Sequence, residues 1–307
     1  MNHPEFLQPY LEELKDSGKA PATVRRYLYD VLHFMSWLKK IKDKDDVAAL
    51  HVLKESDLNK YLSNYSGATA RRIASVLNAF FKKMDISLRI DIKQANIDAQ
   101  RPLASKDFIS NDEFKRLLSS MKQSNNSNLP LAAARDHLID RNVSIVYLMR
   151  YYGLTPSEIS SINMDKVNFA QNTIVLPGRD LMLLEDHKKK LIKYFTSIPK
   201  QFRPRYHEDD PLFVSFYNVE SSYLYDYENS KPKRLSIRAI QEMVKDEVGR
   251  AGLRKISAIN LRNQCILDAL KDGKTDETII TMFNMASSFS LHRYKNYIKQ
   301  QKNKVLD

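Results

Sequence analysis

Apolar side chains recur at helical spacing four times in the first 83 residues, and then the pattern stops. Phe6, Leu7, Tyr10, Leu11 and Leu14 mark the first stripe, and Gly18 closes it. Thr23 reads as the cap of a longer helix with Val24, Tyr27, Leu28, Val31, Leu32, Phe34, Met35 and Leu38 on one broad face. A short helix with Leu58, Tyr61 and Leu62 starts at Ser56-Asp57. A fourth, with Ile73, Val76, Leu77, Phe80 and Phe81, starts at Thr69. Stripes of this kind are buried against one another, so residues 1–88 predict a helical domain. Residues 89–107 lack the period, contain Arg101-Pro102 and read as a linker.

Residues 108–307 are mixed. A helix with a capping pattern covers Asn111 to Met121, and Ser124 to Pro130 forms a polar loop. A long apolar helix from Ala134 to Tyr152 ends at Gly153, and a short one starts at Pro156-Ser-Glu-Ile. Lys166 to Leu176 predicts two short strands around Ala170-Gln-Asn172, and Leu181 to Leu184 another after the turn Pro177-Gly178. Helices are expected over Glu185–Ser197, Ser236–Ala251, Leu261–Lys271, Thr275–Phe283 and Leu291–Asn303. The stretch 198–235 reads as irregular.

The chain has 49 Lys and Arg against 37 Asp and Glu, a formal charge of +12. Such an excess favours a polyanionic partner, of which nucleic acid is the commonest. No apolar run approaches the roughly 20 residues needed to cross a bilayer, and the first residues do not form a secretory signal, so a cytoplasmic protein with no membrane partner is expected. The one cysteine, Cys265, lies in an apolar run and reads as a buried structural thiol. The histidines do not cluster with metal-ligand spacing, and no glycine-rich phosphate loop is present, so neither a metal nor a cofactor is expected.

Paired arginines at Arg25-Arg26 and Arg71-Arg72 fall near the starts of two helices, where they suit phosphates or guanine edges. The lysine pairs Lys39-Lys40 and Lys82-Lys83 fall at helix ends, where cations offset the helix dipole.

Several boxes, taken in order, resemble the tyrosine recombinases of the phage integrase and Xer type. Thr23-x-x-x-Tyr27-x-x-Asp30 and Ser75-Val-Leu-x-x-Phe-Phe81 resemble the helical core-binding domain. Phe108-Ile-Ser-Asn-Asp-Glu-Phe-x-x-Leu-Leu118 resembles the start of the catalytic domain. Ala134-Arg135-Asp136 and Gly153-Leu-Thr-Pro-Ser-Glu158 follow, the second resembling the family's Gly-Leu-Arg-x-Ser-Glu box. Ile259, Arg262, Gly273, Asn284-Met285 and Tyr294 then keep, without a gap, the places of the His-x-x-Arg box, a glycine, a Gly-His dipeptide and the tyrosine. The resemblance implies a mainly α fold: a SAM-like helical domain, then an α+β catalytic-type domain with a small antiparallel sheet.

In that family two arginines and a lysine grip the scissile phosphate, two histidine-type positions assist, and the tyrosine attacks phosphorus. Here Thr155 stands where the first arginine belongs, and Ile259 and Met285 replace the two histidine-type residues; Arg262 and Tyr294 are retained. Arg179, in Leu176-Pro-Gly-Arg-Asp-Leu, falls near the lysine's place. A Thr hydroxyl does not replace a bidentate guanidinium, and Ile and Met carry no useful proton. Loss of one preorganised donor costs roughly 3–4 kcal/mol of transition-state stabilisation. The expectation is therefore a non-catalytic scaffold, not an enzyme. Ile259 and Met285 would fill a vacated pocket, and Tyr294 would pack or hydrogen-bond.

The resemblance further implies double-stranded DNA as partner, contacted by Arg25, Arg26, Arg71 and Arg72 from the first domain. Arg179, Arg234, Ser236, Arg238, Arg254, Lys255 and Arg262 would contact it from the second. The expected role is transcriptional repression, similar to the integrase-like repressors of SPβ-like prophages, with oligomerisation on DNA or a regulatory protein partner. The alternative is an active or partner-assisted recombinase using Tyr294.

Overall fold

The computed structural model describes residues 4–43, 46–65, 67–91, 101–123, 134–285 and 287–306. The polar loop expected at 124–130 and the middle of the expected linker, 92–100, lie outside the described residues. The chain divides into two compact units, Met1–Arg101 and Pro102–Asp307.

The first unit contains α1 (Gln8–Asp16), α2 (Pro21–Lys42), α3 (Asp46–His51), α4 (Glu55–Leu62) and α5 (Gly67–Lys83). Its core gathers the expected stripes: Tyr10, Phe34, Leu38, Tyr61, Leu77, Phe80 and Phe81 are all buried. Three helices start one or two residues earlier than expected, and one helix, α3, was not expected. Pro21 opens α2 behind Ala20, because its fixed φ suits the first helical turn, so Thr23 lies inside the helix. Helix α3, only six residues long, is too short to show a period. At the inner face of α2 the buried Asp30 carboxylate forms an ion pair with Arg72 of α5, and Arg26 lies 3.8 Å from it.

Both ends of the expected linker belong to cores. The Asn78 side chain clamps the backbone of Ile90, donating to its carbonyl at 3.0 Å and accepting from its N–H at 2.8 Å, and the Ile90 side chain packs in the first core. Leu103 and Phe108 pack in the second unit, and Ser105–Asp107 form a 3₁₀ turn. Side-chain clamps and isolated apolar anchors carry no period, so these ends read as linker in the sequence.

The second unit is mainly helical. Its helices are α6 (Asn111–Lys122), α7 (Ile139–Tyr152), α8 (Pro156–Ser161), α9 (Glu185–Ser197), α10 (Ile237–Arg250), α11 (Ala258–Lys271), α12 (Asp276–Met282) and α13 (His292–Leu306). Residues 134–136 form a separate helical turn before α7. Helix α7 packs against both α9 and α11. The strands β1 (Val167–Asn168), β2 (Thr173–Leu176) and β3 (Arg179–Met182) form an antiparallel sheet in that order, with Ile174 opposite Leu181 and Leu176 opposite Arg179. The stretch expected to be irregular holds two small ribbons. One pairs β4 (Phe216–Tyr217) with β5 (Ser222–Tyr223), the other β6 (Tyr225–Asp226) with β7 (Lys231–Pro232). No helix among the described residues is long and apolar enough to cross a membrane.

Candidate active site

Helix α7 ends at Gly153 in the left-handed region, φ 62°. A side chain there would be strained, and its first carbon would lie 2.4 Å from the Phe283 ring. The turn frees the Gly153 carbonyl, which accepts from Arg262 Nη1; Arg262 Nη2 donates to the Phe283 carbonyl at 2.5 Å. The retained arginine is thereby fixed between the end of α7 and the end of α12. Burial pushes its pKa down, and the Glu158 carboxylate opposes that shift.

Two residues beyond Gly153 the chain caps α8. Glu158 N–H donates to Thr155 Oγ1, and Glu158 Oε2 accepts from Thr155 N–H and Oγ1–H, both at 2.8 Å. This capping box commits the hydroxyl that occupies the family's arginine position. It also holds the Glu158 carboxylate in place. Oε2 lies 3.5 Å from Arg262 Nη1, while Oε1 accepts from Arg179 Nη2 at 2.6 Å. One carboxylate thus gathers two guanidinium groups, one from α11 and one from the start of β3. Arg179 lies on the inward face of β3 with Leu181, as the two-residue period of a strand requires.

Tyr294, on α13, is buried against Phe108, with ring centroids 6.2 Å apart. Its hydroxyl donates to Asn263 Oδ1 at 2.7 Å, and Asn263 Nδ2 donates to the Asp107 carbonyl at 3.0 Å. Burial raises the phenol pKa, while Arg262 and Arg293 pull it down. The buried thiol of Cys265 is pushed up to about 11, so it is protonated at neutral pH.

Ile259 does not fill a pocket. It is 57 % exposed on the first turn of α11, facing out. Together with Thr155, Gln241, Ser257 and Arg262 it lines an open cavity of about 310 Å³. Met285 is half-buried against the cluster that contains Phe283 and Tyr294.

The other candidate DNA contacts divide. Arg25, Arg26, Arg238 and Lys255 are exposed, although Arg238 pairs with Glu242 at 2.8 Å. Arg71 is half-buried on α5, and Arg72 is turned inward to Asp30. Arg234 is committed inside the unit, donating to the Ser160 carbonyl and to Asn163 Oδ1, both at 2.6 Å. Arg254 is likewise committed, to both Glu113 oxygens and to the carbonyls of Lys106 and Phe108. Burial favours the neutral form of Glu113, but hydrogen bonds from Arg254 and Ser110 win, and its pKa falls. Ser236 caps α10, accepting from Ala239 N–H at 3.1 Å. For Arg72, Arg234, Arg254 and Ser236 the physical reason is the same: an ion-pair partner or polar groups of the same unit claim the side chain.

Sequence reasoning assigned no task to Asn263 and knew Glu158 only as part of a box. The signal for Glu158 was its place three residues after Thr155, the spacing of a capping box. Among the described residues no group of three His, Cys, Asp or Glu side chains is placed to hold a metal.

Residues 7–84 match the model of the phage integrase N-terminal SAM-like domain. The chain is 24 % identical to the tyrosine recombinase XerC of Caldanaerobacter subterraneus subsp. tengcongensis, with 90 % of this chain and 78 % of the relative covered. It is 23 % identical to the tyrosine recombinase XerA of Thermococcus kodakarensis, covering 88 % and 82 %. Among solved structures, the XerH site-specific recombinase bound to palindromic difH substrate, a post-cleavage complex, superposes with TM-score 0.65 at 17 % identity over 93 % of this chain and 79 % of that one. The Tn1549 transposon integrase with circular intermediate DNA gives 0.66 at 13 %, over 94 % of each.

These relatives correct two expectations, the non-catalytic scaffold and the repressor: the sequence relatives that span most of the chain are named as recombinases, which are enzymes. The physical reason is that three altered positions do not define a site. Its contents depend on which side chains reach it in space, and Arg179 and Glu158 reach it from elsewhere in the unit. From the SAM-like helices through the box that ends at Tyr294, the chain is similar to the tyrosine recombinases and phage integrases.

Proposed function

We propose that this protein is a site-specific DNA recombinase that works in the cytoplasm on double-stranded DNA, with Tyr294 as its nucleophile. The observation that carries this reading is the grouping of Tyr294, Arg262, Arg179 and Glu158 in one unit, with Arg262 also lining an open cavity. The relatives' names add to it.

In the reaction the Tyr294 oxygen attacks a DNA phosphorus. A phosphotyrosyl bond forms, the phosphorus bond to a deoxyribose oxygen breaks, the phenol gives up its proton and the leaving oxygen gains one. Attack by a strand-end hydroxyl on the phosphotyrosyl ester reverses the step and frees Tyr294. Ester is exchanged for ester, so no external energy source is consumed. Arg262 supplies fixed positive charge to the non-bridging oxygens as charge builds on them. The Tyr294 hydroxyl is turned to Asn263 in this state, and attack requires it to leave that partner.

The test uses genomic duplex fragments enriched by binding to the protein and nicked at intervals. A covalent protein–DNA species stable to detergent is expected. Its absence with every bound fragment overturns the reading.

For binding itself, Arg25, Arg26, Arg238 and Lys255 are the exposed cations proposed to meet phosphates, with Arg71 beside them on the first unit. Affinity is expected to fall steeply with salt, because each neutralised phosphate adds about 0.9 to the slope of log K against log salt. Arg26→Ala is expected to lower that slope by about 1 while weakening all duplexes alike. An unchanged slope removes Arg26 from the contact surface.

A further inference from the structure

The turn between β6 and β7 holds an aromatic ring out to solvent. Tyr227 is 83 % exposed, the most of any large apolar side chain described. The turn is ordered. Asp226 Oδ1 accepts from Asn229 N–H at 3.1 Å, Asp226 Oδ2 accepts from Asn229 Nδ2 at 2.9 Å, and the rings of Tyr225 and Tyr227 lie 5.2 Å apart. The tip is also acidic. Lys231 is matched by Asp209 at 2.7 Å and Arg205 by Asp210 at 2.8 Å, which leaves Asp226 and exposed Glu228 as net negative charge. An ordered turn that presents a phenol ring forgoes the burial which contact with a partner would supply.

The same unit carries the opposite feature. An open hollow of about 440 Å³ lies between the end of α11, the start of α12 and α13. Leu270 and Ile298 give it an apolar wall, and both pack on the cluster that contains Phe283. Lys274, Lys295, Lys299 and Lys302 surround that wall. The last three are four and three residues apart, so they share one face of α13. Of the four, only Lys295 has an ion-pair partner among the described residues, Asp276 at 2.6 Å. Like charges at this spacing repel each other, and an acidic group from outside the fold relieves that repulsion.

We propose that the Tyr227 tip of one copy of this chain docks in the α11–α13 hollow of a second copy. Tyr227 lies against Leu270 and Ile298 there, and the acidic groups of the tip meet Lys299 and Lys302. A nucleic acid backbone suits the lysines but gains nothing from Leu270 and Ile298, whereas the tip uses both. The two patches differ, so the contact is head-to-tail, and its repetition closes a ring or extends a filament. One tip buries little surface, so a single contact is weak, and copies held close together on one DNA strengthen it through their effective concentration. The inference stands apart from the recombinase reading, because it needs neither Tyr294 nor cleavage.

Sedimentation of the full chain without DNA, over a series of protein concentrations at low salt, tests the contact. Wild type is expected to self-associate. Glu228→Lys and Lys299→Glu, both at exposed positions, are each expected to weaken that association about tenfold, because each sets like charges against one another. An equal mixture of the two variants is expected to recover it. In the mixture each changed tip meets a changed hollow, and each unchanged tip an unchanged hollow. A wild type that stays monomeric throughout, or a mixture that associates no better than its components, overturns the proposal. A second measurement captures weak contacts: a short bismaleimide is expected to link Glu228→Cys to Lys299→Cys in a mixture far more than either variant to itself, while buried Cys265 stays out of reach. Equal linking in all three samples overturns the proposal too. So does a Lys299→Glu protein that loses DNA affinity but associates like wild type, since the hollow then belongs to DNA. Absence of a covalent adduct with nicked duplex counts against the recombinase reading alone.

Discussion

Tyr294→Phe is expected to abolish the covalent protein–DNA species altogether while leaving the fold in place. The change removes one oxygen. That oxygen is the nucleophile of the proposed reaction, and the second phenol nearby, Tyr297, stacks on Phe108 with ring centroids 4.6 Å apart. Tyr297→Phe is therefore the control that keeps the adduct. The stability cost of Tyr294→Phe is small, because Asn263 Oδ1 loses one donor, a loss on the order of 1 kcal/mol. The two readouts separate: complete loss of the adduct by gel, and a near-native midpoint in urea. An adduct of undiminished yield from the Phe variant would remove Tyr294 from the mechanism.

The same substitution has a pH signature. Burial raises the Tyr294 pKa above its ordinary value. A raised folded pKa stabilises fully below the unfolded value, near 10, and that contribution is lost as pH rises through the folded value. Wild type is therefore expected to lose more stability than the Phe variant on the alkaline side, and to match its profile below pH 9 or so.

Glu158→Ala is expected to destabilise the second unit, by less than the roughly 3–5 kcal/mol lost when a fully buried ion pair is broken from one side, because the Glu158 side chain is 20 % exposed. The carboxylate accepts from Thr155 N–H and Oγ1–H and from Arg179, and it faces Arg262. Without it, two cations remain close together with no counter-charge, and the cap of α8 loses half its box. Glu158→Gln keeps an acceptor for the Thr155 N–H but not the charge, so a smaller loss is expected. Urea unfolding measures both. A shift in midpoint with unchanged slope reports stability, and a change under about 0.5 kcal/mol for the Ala variant would show that the carboxylate is not the organiser of the site.

How much of this was legible follows from what each feature depends on. The stripes through Phe34, Leu38, Leu77 and Phe80 are local and periodic, and they form the first core. The hairpin about Pro177-Gly178 and the spacing from Arg262 to Tyr294 are local signals too. Pairings across the chain are not. Arg179 and Glu158 lie 21 positions apart with no pattern joining them. Arg234 and Arg254 read as surface cations because a sequence does not say which distant carbonyls and side chains lie within reach of them. Ile259 read as filler because it stands at a polar position; the first turn of α11 faces it outward. The ribbons between 216 and 232 have two-residue strands, too short for an alternating pattern.

Asn263 holds the Tyr294 hydroxyl with its oxygen and the Asp107 carbonyl with its nitrogen. The amide is planar, so neither end can turn without the other. If it rotates by half a turn, the oxygen faces the Asp107 carbonyl, which has no hydrogen to give, and the nitrogen faces the Tyr294 hydroxyl, which then accepts instead of donating. The Tyr294 hydroxyl, the proposed nucleophile, therefore changes from donor to acceptor when the amide turns. That amide's orientation is one side-chain torsion, anchored on the short segment by which the chain enters this unit.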